Sequence, residues 1–217
     1  MKQLHRLTAY FLIVFVIAHI GNHLFLVTGR ETYNQVQDVL NAVYRNSFLE
    51  PLLIITVCIQ VFIGLKMSIN SLRRKPKRPF WQCGFWEKAQ IISGFIFAFF
   101  IIEHLLALAV VRWTTTLETE FYWPASVMNG APFTYYFIPY YFLGVLAIMV
   151  HIGIGLRYVV QRSGRRQLGN VLGISSIILG TIFGATIVLG LKGAFYEIIL
   201  PPEWIDYLKM FYPGYTG

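Results

Sequence analysis

Charge is what this chain has least of. Only 13% of its 217 residues are Asp, Glu, Lys or Arg, about half of the roughly 25% usual in a soluble domain. That scarcity excludes an ordinary water-soluble globule. Cysteine is nearly absent as well, with Cys58 inside an apolar run and Cys83 in a basic loop. Two thiols on different levels, without CxxC spacing, exclude a disulfide framework and a thiolate metal site. Acids are fewer than bases, 10 against 18. The chain has no internal repeat and no low-complexity tract.

What it has is hydrocarbon. Mean hydropathy is +0.59, and the apolar residues fall in five runs, at about 8–27, 51–72, 89–111, 135–159 and 171–191. Each is near the ~20 residues that cross a bilayer core. The first run is too long for the apolar part of a signal peptide and offers no small-residue cleavage site, so it reads as a retained span. The expectation is an all-α, five-helix polytopic bundle forming one membrane domain over 1–217.

The net charge of +8 does not point to nucleic acid, because of where the cations lie. With the N-terminus inside, thirteen of the 18 fall on the inner side: Lys2, Arg6, seven from Lys66 to Lys88 and four from Arg157 to Arg166. The outer side holds Arg30, Arg45, Arg112, Lys192 and Lys209. This asymmetry predicts an N-in, C-out protein of the cytoplasmic membrane. The inner cations would set orientation, meet anionic lipid and offer a docking face.

The connecting segments carry signals too. Weak helical periodicity at 33–44 predicts a surface-lying piece in the first outer loop. Pro76 and Pro79 predict a non-helical inner hairpin, with Trp81 and Trp86 at the interface. The aromatic-rich segment 112–134 is long enough to fold over the outer mouth. Pro201 and Pro202 break the tail, and an interfacial helix is expected over 203–211. Gly180 and Gly184 at GxxxG spacing predict close helix packing. The fifth span holds no ionisable residue and is expected outside the functional core.

Three histidines, His19, His104 and His151, sit deep in separate runs. Imidazole in lipid is costly and usually faces the bundle interior for a purpose. Axial ligation of haem iron is one such purpose. At 1.5 Å per residue, His19 lies about 17–18 Å and His104 about 22–23 Å above their inner helix ends. Two facing imidazoles at compatible depth are able to hold an outer haem between apolar walls. His23, one turn past His19, lies at about 24 Å and fits His104 equally well. His151 lies in the inner half, but the second span offers Gln60, a poor iron ligand, where a partner histidine is needed. Glu103, beside His104, is a buried-carboxylate candidate. The tyrosines at 135–141 suit an aromatic belt or a quinone-head site near the outer mouth.

Three stretches carry a further signal: the first span (LIVFVIAHIGNHLFLVTG, with Tyr33 and Asn34 beyond it), the third (AQIISGFIFAFFIIEH, Gly94 ten before His104) and the fourth (YFLGVLAIMVHIGIGL, with Gly144 and Gly155 about His151). Over about 5–160 the chain resembles the five-helix cytochrome b anchor of succinate dehydrogenases and fumarate reductases. The resemblance implies a haem b-binding bundle that anchors flavoprotein and iron–sulfur subunits on the inner face and exchanges electrons with quinone. It would be a membrane subunit and not an enzyme alone. The resemblance favours His19 over His23 as ligand. In two-haem members the first and third helices hold the outer haem, and the second and fourth the inner one. The second-span register set by Gly64 places Gln60 at an inner ligand position, so one outer haem on His19 and His104 is expected rather than two. A reading from another class is a haem-free scaffold or small transporter whose histidines and Glu103 form a buried polar network.

Overall fold

The computed structural model describes residues 2–73 and 79–217; Pro76 and five of the inner cations expected above, Arg74, Lys75, Lys77, Arg78 and the side chain of Lys2, lie outside the described residues. The described residues are helical and turn structure with no strand. The helices are α1 (Lys2–Leu24), α2 (Arg30–Tyr44), α3 (Leu49–Arg73), α4 (Phe85–Thr114), α5 (Tyr122–Asn129), α6 (Phe133–Arg162), α7 (Arg166–Leu191) and α8 (Pro202–Lys209). Five of them, α1, α3, α4, α6 and α7, are long and apolar enough to cross a membrane. A helix satisfies every main-chain polar group within itself, and hydrocarbon demands that. Every span begins before its apolar run, by two residues in α3 and α6 and by four to six in α1, α4 and α7, because backbone pairing continues where hydropathy fades.

The tightest pair is α6 with α7. Gly164, at φ +77°, makes the short turn between them, a conformation that favours glycine. Gly153 of α6 faces Ser176 of α7 so closely that a Cβ on Gly153 would overlap the serine Cβ. Gly180 meets Leu146 and Met149, and Gly184 meets Phe142, so the small-residue spacing serves internal packing. Arg157 is buried, donates from Nε to Asn170 at 3.2 Å and lies over the Trp86 ring at 4.5 Å. Trp86 therefore tethers α4 to α6 and is not simply an interfacial anchor. α4 closes on α6 where Phe100 enters the space left by Gly144. By contrast α1 turns Leu7, Val14 and Ile17 outward, as a lipid-facing helix does.

The two ends of the bundle differ. At the end opposite the N-terminus, α2, α5 and the C-terminal tail fold together into a cap. Asn34 bonds Glu120 and accepts from the Phe121 amide at 3.2 Å, and Gln37 donates to the Thr119 carbonyl at 2.8 Å. Phe121, Met128, Trp204, Leu208 and Tyr215 are buried there. The segment 112–134 thus covers the mouth, as its length and composition predict. The tail forms a helix where one is expected, α8, which ends at Lys209 and buries Trp204 and Leu208 against the protein. The basic end has no such cover among the described residues.

Candidate cofactor cavities

Two cavities are stacked in the space between α1, α3, α4 and α6, of about 200 Å³ at the cap end and about 220 Å³ at the basic end. Phe15, Val16, Val57, Phe97, Ile101 and Ile148 line both and form the partition between them.

The cap-end cavity holds three of the sequence candidates together. His19 on α1 and His104 on α4 face each other with ring centroids 6.1 Å apart and planes at 74°. Phe15 stacks on His19 at 5.4 Å, one turn along the same helix, and Phe100 stacks on His104 at 5.7 Å. These stacks fix the ring planes. Trp123 from the cap lies 5.3 Å from His104. His23 meets the His19 ring edge-on at 4.9 Å, and the Tyr33 hydroxyl lies 3.3 Å from its Nδ1. His23 has a partner of its own, whereas no hydrogen bond to the His19 or His104 ring occurs among the described residues. Depth alone leaves His19 and His23 tied; the His19 ring lies 6.1 Å from the His104 ring, and His23 is held by Tyr33.

A first-row metal holds an imidazole nitrogen at about 2.0–2.1 Å. The ring centre lies roughly 1.2 Å behind that nitrogen, given ring bonds near the usual C–N length. Two imidazoles on opposite sides of one metal thus have centroids roughly 6.4 Å apart. The observed spacing is within a few tenths of that. Among the described residues no group of three or more His, Cys, Asp or Glu is arranged to hold a metal by itself. Two axial nitrogens suit a metal whose other positions belong to a macrocycle. Asn22 Oδ1, Gln37 Oε1 and Arg112 Nε are buried without a hydrogen-bond partner, and all three residues line this cavity. Such groups are costly unless something meets them. Donor chemistry, spacing and unpaired polar atoms all fit a haem.

Comparison with protein-family models, with curated proteins and with solved structures gave no match. The geometry therefore stands by itself.

The basic-end cavity is lined by His151, Gln60, Gly64, Gly94 and Gly155 and also by His5, which lies before the first apolar run. Gln60 is already engaged, because the Thr8 hydroxyl donates to its Oε1 at 2.5 Å. Gln90 places its amide nitrogen 3.2 Å from His151 Nδ1. Glu103 lines neither cavity. It accepts a hydrogen bond from the half-exposed Tyr136 hydroxyl, on the flank of α4 and α6. Glu50 and Arg112 form an ion pair between α3 and α4, so they are a cross-helix tie as well as interfacial charges. The fifth span is closer to the site than its lack of ionisable residues implies, since Ile187 and Leu191 wall the cap-end cavity. A third cavity of about 250 Å³ adjoins it, sharing His104, Trp123 and Tyr141 and adding Phe137, Tyr140 and Tyr207.

His5 and Gln90 are the residues that sequence reasoning passes over, and Tyr33 enters it without its tie to His23. A signal for His5 exists. It precedes His19 by fourteen residues, which is four helical turns to within about 40°, so both fall on one face.

Proposed function

We propose that this protein is a haem b-binding membrane subunit of a quinone-linked oxidoreductase of the succinate dehydrogenase or fumarate reductase type. The observation that carries the reading is the His19–His104 pair at 6.1 Å, the spacing of two axial imidazoles. When bound, a haem supplies reversible one-electron carriage. The chain does the rest. His19 and His104 grip from facing helices, and Phe15 and Phe100 hold the two rings in plane. Arg112 Nε offers a donor to a carboxylate edge, and the Asn22 and Gln37 amides can turn to offer either sense of hydrogen bond. The apolar walls and the cap keep water away.

The adjoining aromatic cavity suits a quinone head. Its rings match a planar ligand, and its tyrosine hydroxyls supply the few polar groups such a site needs. The thirteen cations on the N-terminal side support a docking face for flavoprotein and iron–sulfur subunits, with that side facing the cytoplasm. The membrane is then the cytoplasmic membrane, and the chain relays electrons without catalysing alone.

A reduced-minus-oxidised absorption spectrum of the purified protein tests this. Soret and α-band changes are expected, and His104→Ala is expected to abolish the cap-end contribution. No band with ample haem supply sinks the reading and leaves the haem-free scaffold or transporter. Mild detergent extraction tests the partners: a polypeptide that always purifies alone argues against a dehydrogenase complex.

A further inference from the structure

We propose that Arg157 is the centre of a phosphate site that holds one anionic phospholipid in the leaflet at the basic end. The site lies where the basic ends of α4, α6 and α7 meet, and Arg157 lines neither of the stacked cavities. It does not depend on what those cavities hold.

A guanidinium is built into the bundle there. Arg157 is only 9% exposed. Its Nε donates to Asn170 Oδ1 at 3.2 Å, and Gln161 Nε2 donates to the same oxygen at 3.2 Å. The Trp86 ring lies 4.5 Å from the guanidinium carbon and the Tyr158 ring 5.5 Å. Gly173 makes room for this stack, because a Cβ there would stand 2.6 Å from Trp86 Cζ3 and 3.1 Å from Arg157 Cδ. Three helices thus hold one cation in one orientation.

That cation is short of partners. Arginine carries five N–H donors, and among the described residues only the one on Nε is used. The two Nη atoms are not among the polar atoms sealed without a partner, so that end of the fork opens outward. A ring face attracts a cation but does not accept four further N–H bonds. The ion pairs of the described residues join Arg45 to Glu118, Arg112 to Glu50 and Lys209 to Asp206, and none involves Arg157. A buried charge is costly unless it is paired. The basic end has one acid, Glu87, against thirteen cations, so the counter-ion comes from outside the chain.

Depth identifies it. α6 has 30 residues, about 45 Å at 1.5 Å per residue, which is close to the thickness of a bilayer with its headgroups. Arg157 stands five residues, about 7.5 Å, from the basic end of that helix. A hydrocarbon core of ~30 Å leaves about the same margin on each side, so Arg157 sits where headgroups meet hydrocarbon. Lipid phosphates lie at that level, and a guanidinium fork matches two phosphate oxygens. Phe85 packs edge-on to Trp86 and is exposed, as are Leu168 and Val171, which suits acyl chains. Arg162, Arg165 and Arg166 are exposed at the turn beyond and favour a headgroup of net negative charge.

Native mass spectrometry of the full-length protein in mild detergent, equilibrated with equal phosphatidylglycerol and phosphatidylcholine, tests this. One phosphatidylglycerol per chain is expected to survive detergent exchange, in preference to phosphatidylcholine. Arg157→Gln is expected to lower its retention about tenfold or more, the worth of charge-assisted hydrogen bonds. Arg157→Lys keeps the charge and loses the fork, so it retains less lipid than the parent and more than Arg157→Gln. Arg162→Gln, Arg165→Gln and Arg166→Gln, made together, remove three exposed charges and leave most of the lipid in place. Inorganic phosphate in excess does not displace it. A parent protein that retains no lipid, a result that needs no variant to fold, overturns the proposal and leaves an acidic side chain of a partner subunit as the counter-ion. Retention unchanged in Arg157→Gln, or lost with the three exposed arginines, also overturns it. Displacement by inorganic phosphate overturns the lipid and leaves a free phosphate ion in its place.

Discussion

The two cavities share a wall, a volume and a pair of histidines each, yet they are finished differently. At the cap end the imidazoles come from well inside the apolar parts of α1 and α4, toward their cap-side ends, each stacked on a phenylalanine. Three extra segments, α2, α5 and the tail, close over them. At the basic end one histidine comes from the first turns of α1 and the other from mid-α6, and no cap lies above them among the described residues. A site built from helix interiors and roofed by a folded layer is held before any ligand arrives, and preorganisation of that kind lowers the cost of binding. A site completed by a helix terminus is completed by a segment that frays. The cap-end site is thus set by the fold, whereas the basic-end site depends on where the first few residues settle.

Gly144→Val should separate the two ends most. A Cβ at Gly144 would overlap the Phe100 ring, and Phe100 stacks on His104. Overpacking of this sort costs about 1–3 kcal/mol, and every ~1.4 kcal/mol is tenfold in an equilibrium. The ring must move, and His104 with it. Retention of the haem proposed on His19 and His104 is expected to fall about tenfold or more in a haem-transfer assay to an apo-acceptor, with hydrogen exchange around the basic-end cavity unchanged. Equal disturbance at both ends would show that the partition does not insulate them.

Residues alone reveal some of this arrangement and hide the rest. Five spans are legible because hydrocarbon forces ~20 apolar residues into each. His19 and His104 are legible because both sit deep within such runs, where depth follows from helix rise. Gly144 is legible only as a small residue, because Phe100 as its guest is a matter of helix rotation. His5 is hidden, since it lies before the apolar run that begins at Thr8. Glu103 shows the opposite failure. It neighbours His104 in sequence, but adjacent helix residues point about 100° apart, and its partner is Tyr136. The cap is partly legible from loop length and aromatic content. That the tail joins it through Tyr215 is not, because the partner is the carbonyl of Ser126, 89 residues away.

A smaller effect, confined to the cap, is expected from Tyr215→Phe. The Tyr215 hydroxyl donates to the Ser126 carbonyl at 2.5 Å, and both groups are buried. Leaving that acceptor unpaired costs about 1–3 kcal/mol. Hydrogen exchange over 122–129 is expected to speed up about tenfold. Exchange in α3 near the basic-end cavity should not change. Uniform acceleration everywhere would mean that the cap is a cornerstone of the whole bundle.

The weakest contrast between the ends comes from pH. Glu120 sits in the cap, bonded by Asn34, and burial raises its pKa above the usual carboxyl value of 4.5; Arg30 opposes this, and Asp38 and Glu118 add to it. A carboxyl with a raised folded pKa binds its proton more tightly in the closed cap than in the open one. Its contribution to cap stability is therefore greatest at low pH and declines as pH rises from about 4.5 through the raised value. Glu120 is half-buried, so solvent screening leaves the effect a fraction of what a fully buried carboxyl would give. Exchange over 119–129 should slow modestly, after correction for intrinsic rates, when pH is lowered from 7.5 toward 5. Glu120→Gln keeps an oxygen for Asn34 and removes the titration, so its cap should be as closed at pH 7.5 as at pH 5. Among the described residues no carboxyl lines the basic-end cavity, so no matching slowing of exchange with falling pH is expected there. A pH response of equal size at both ends would place its origin outside Glu120.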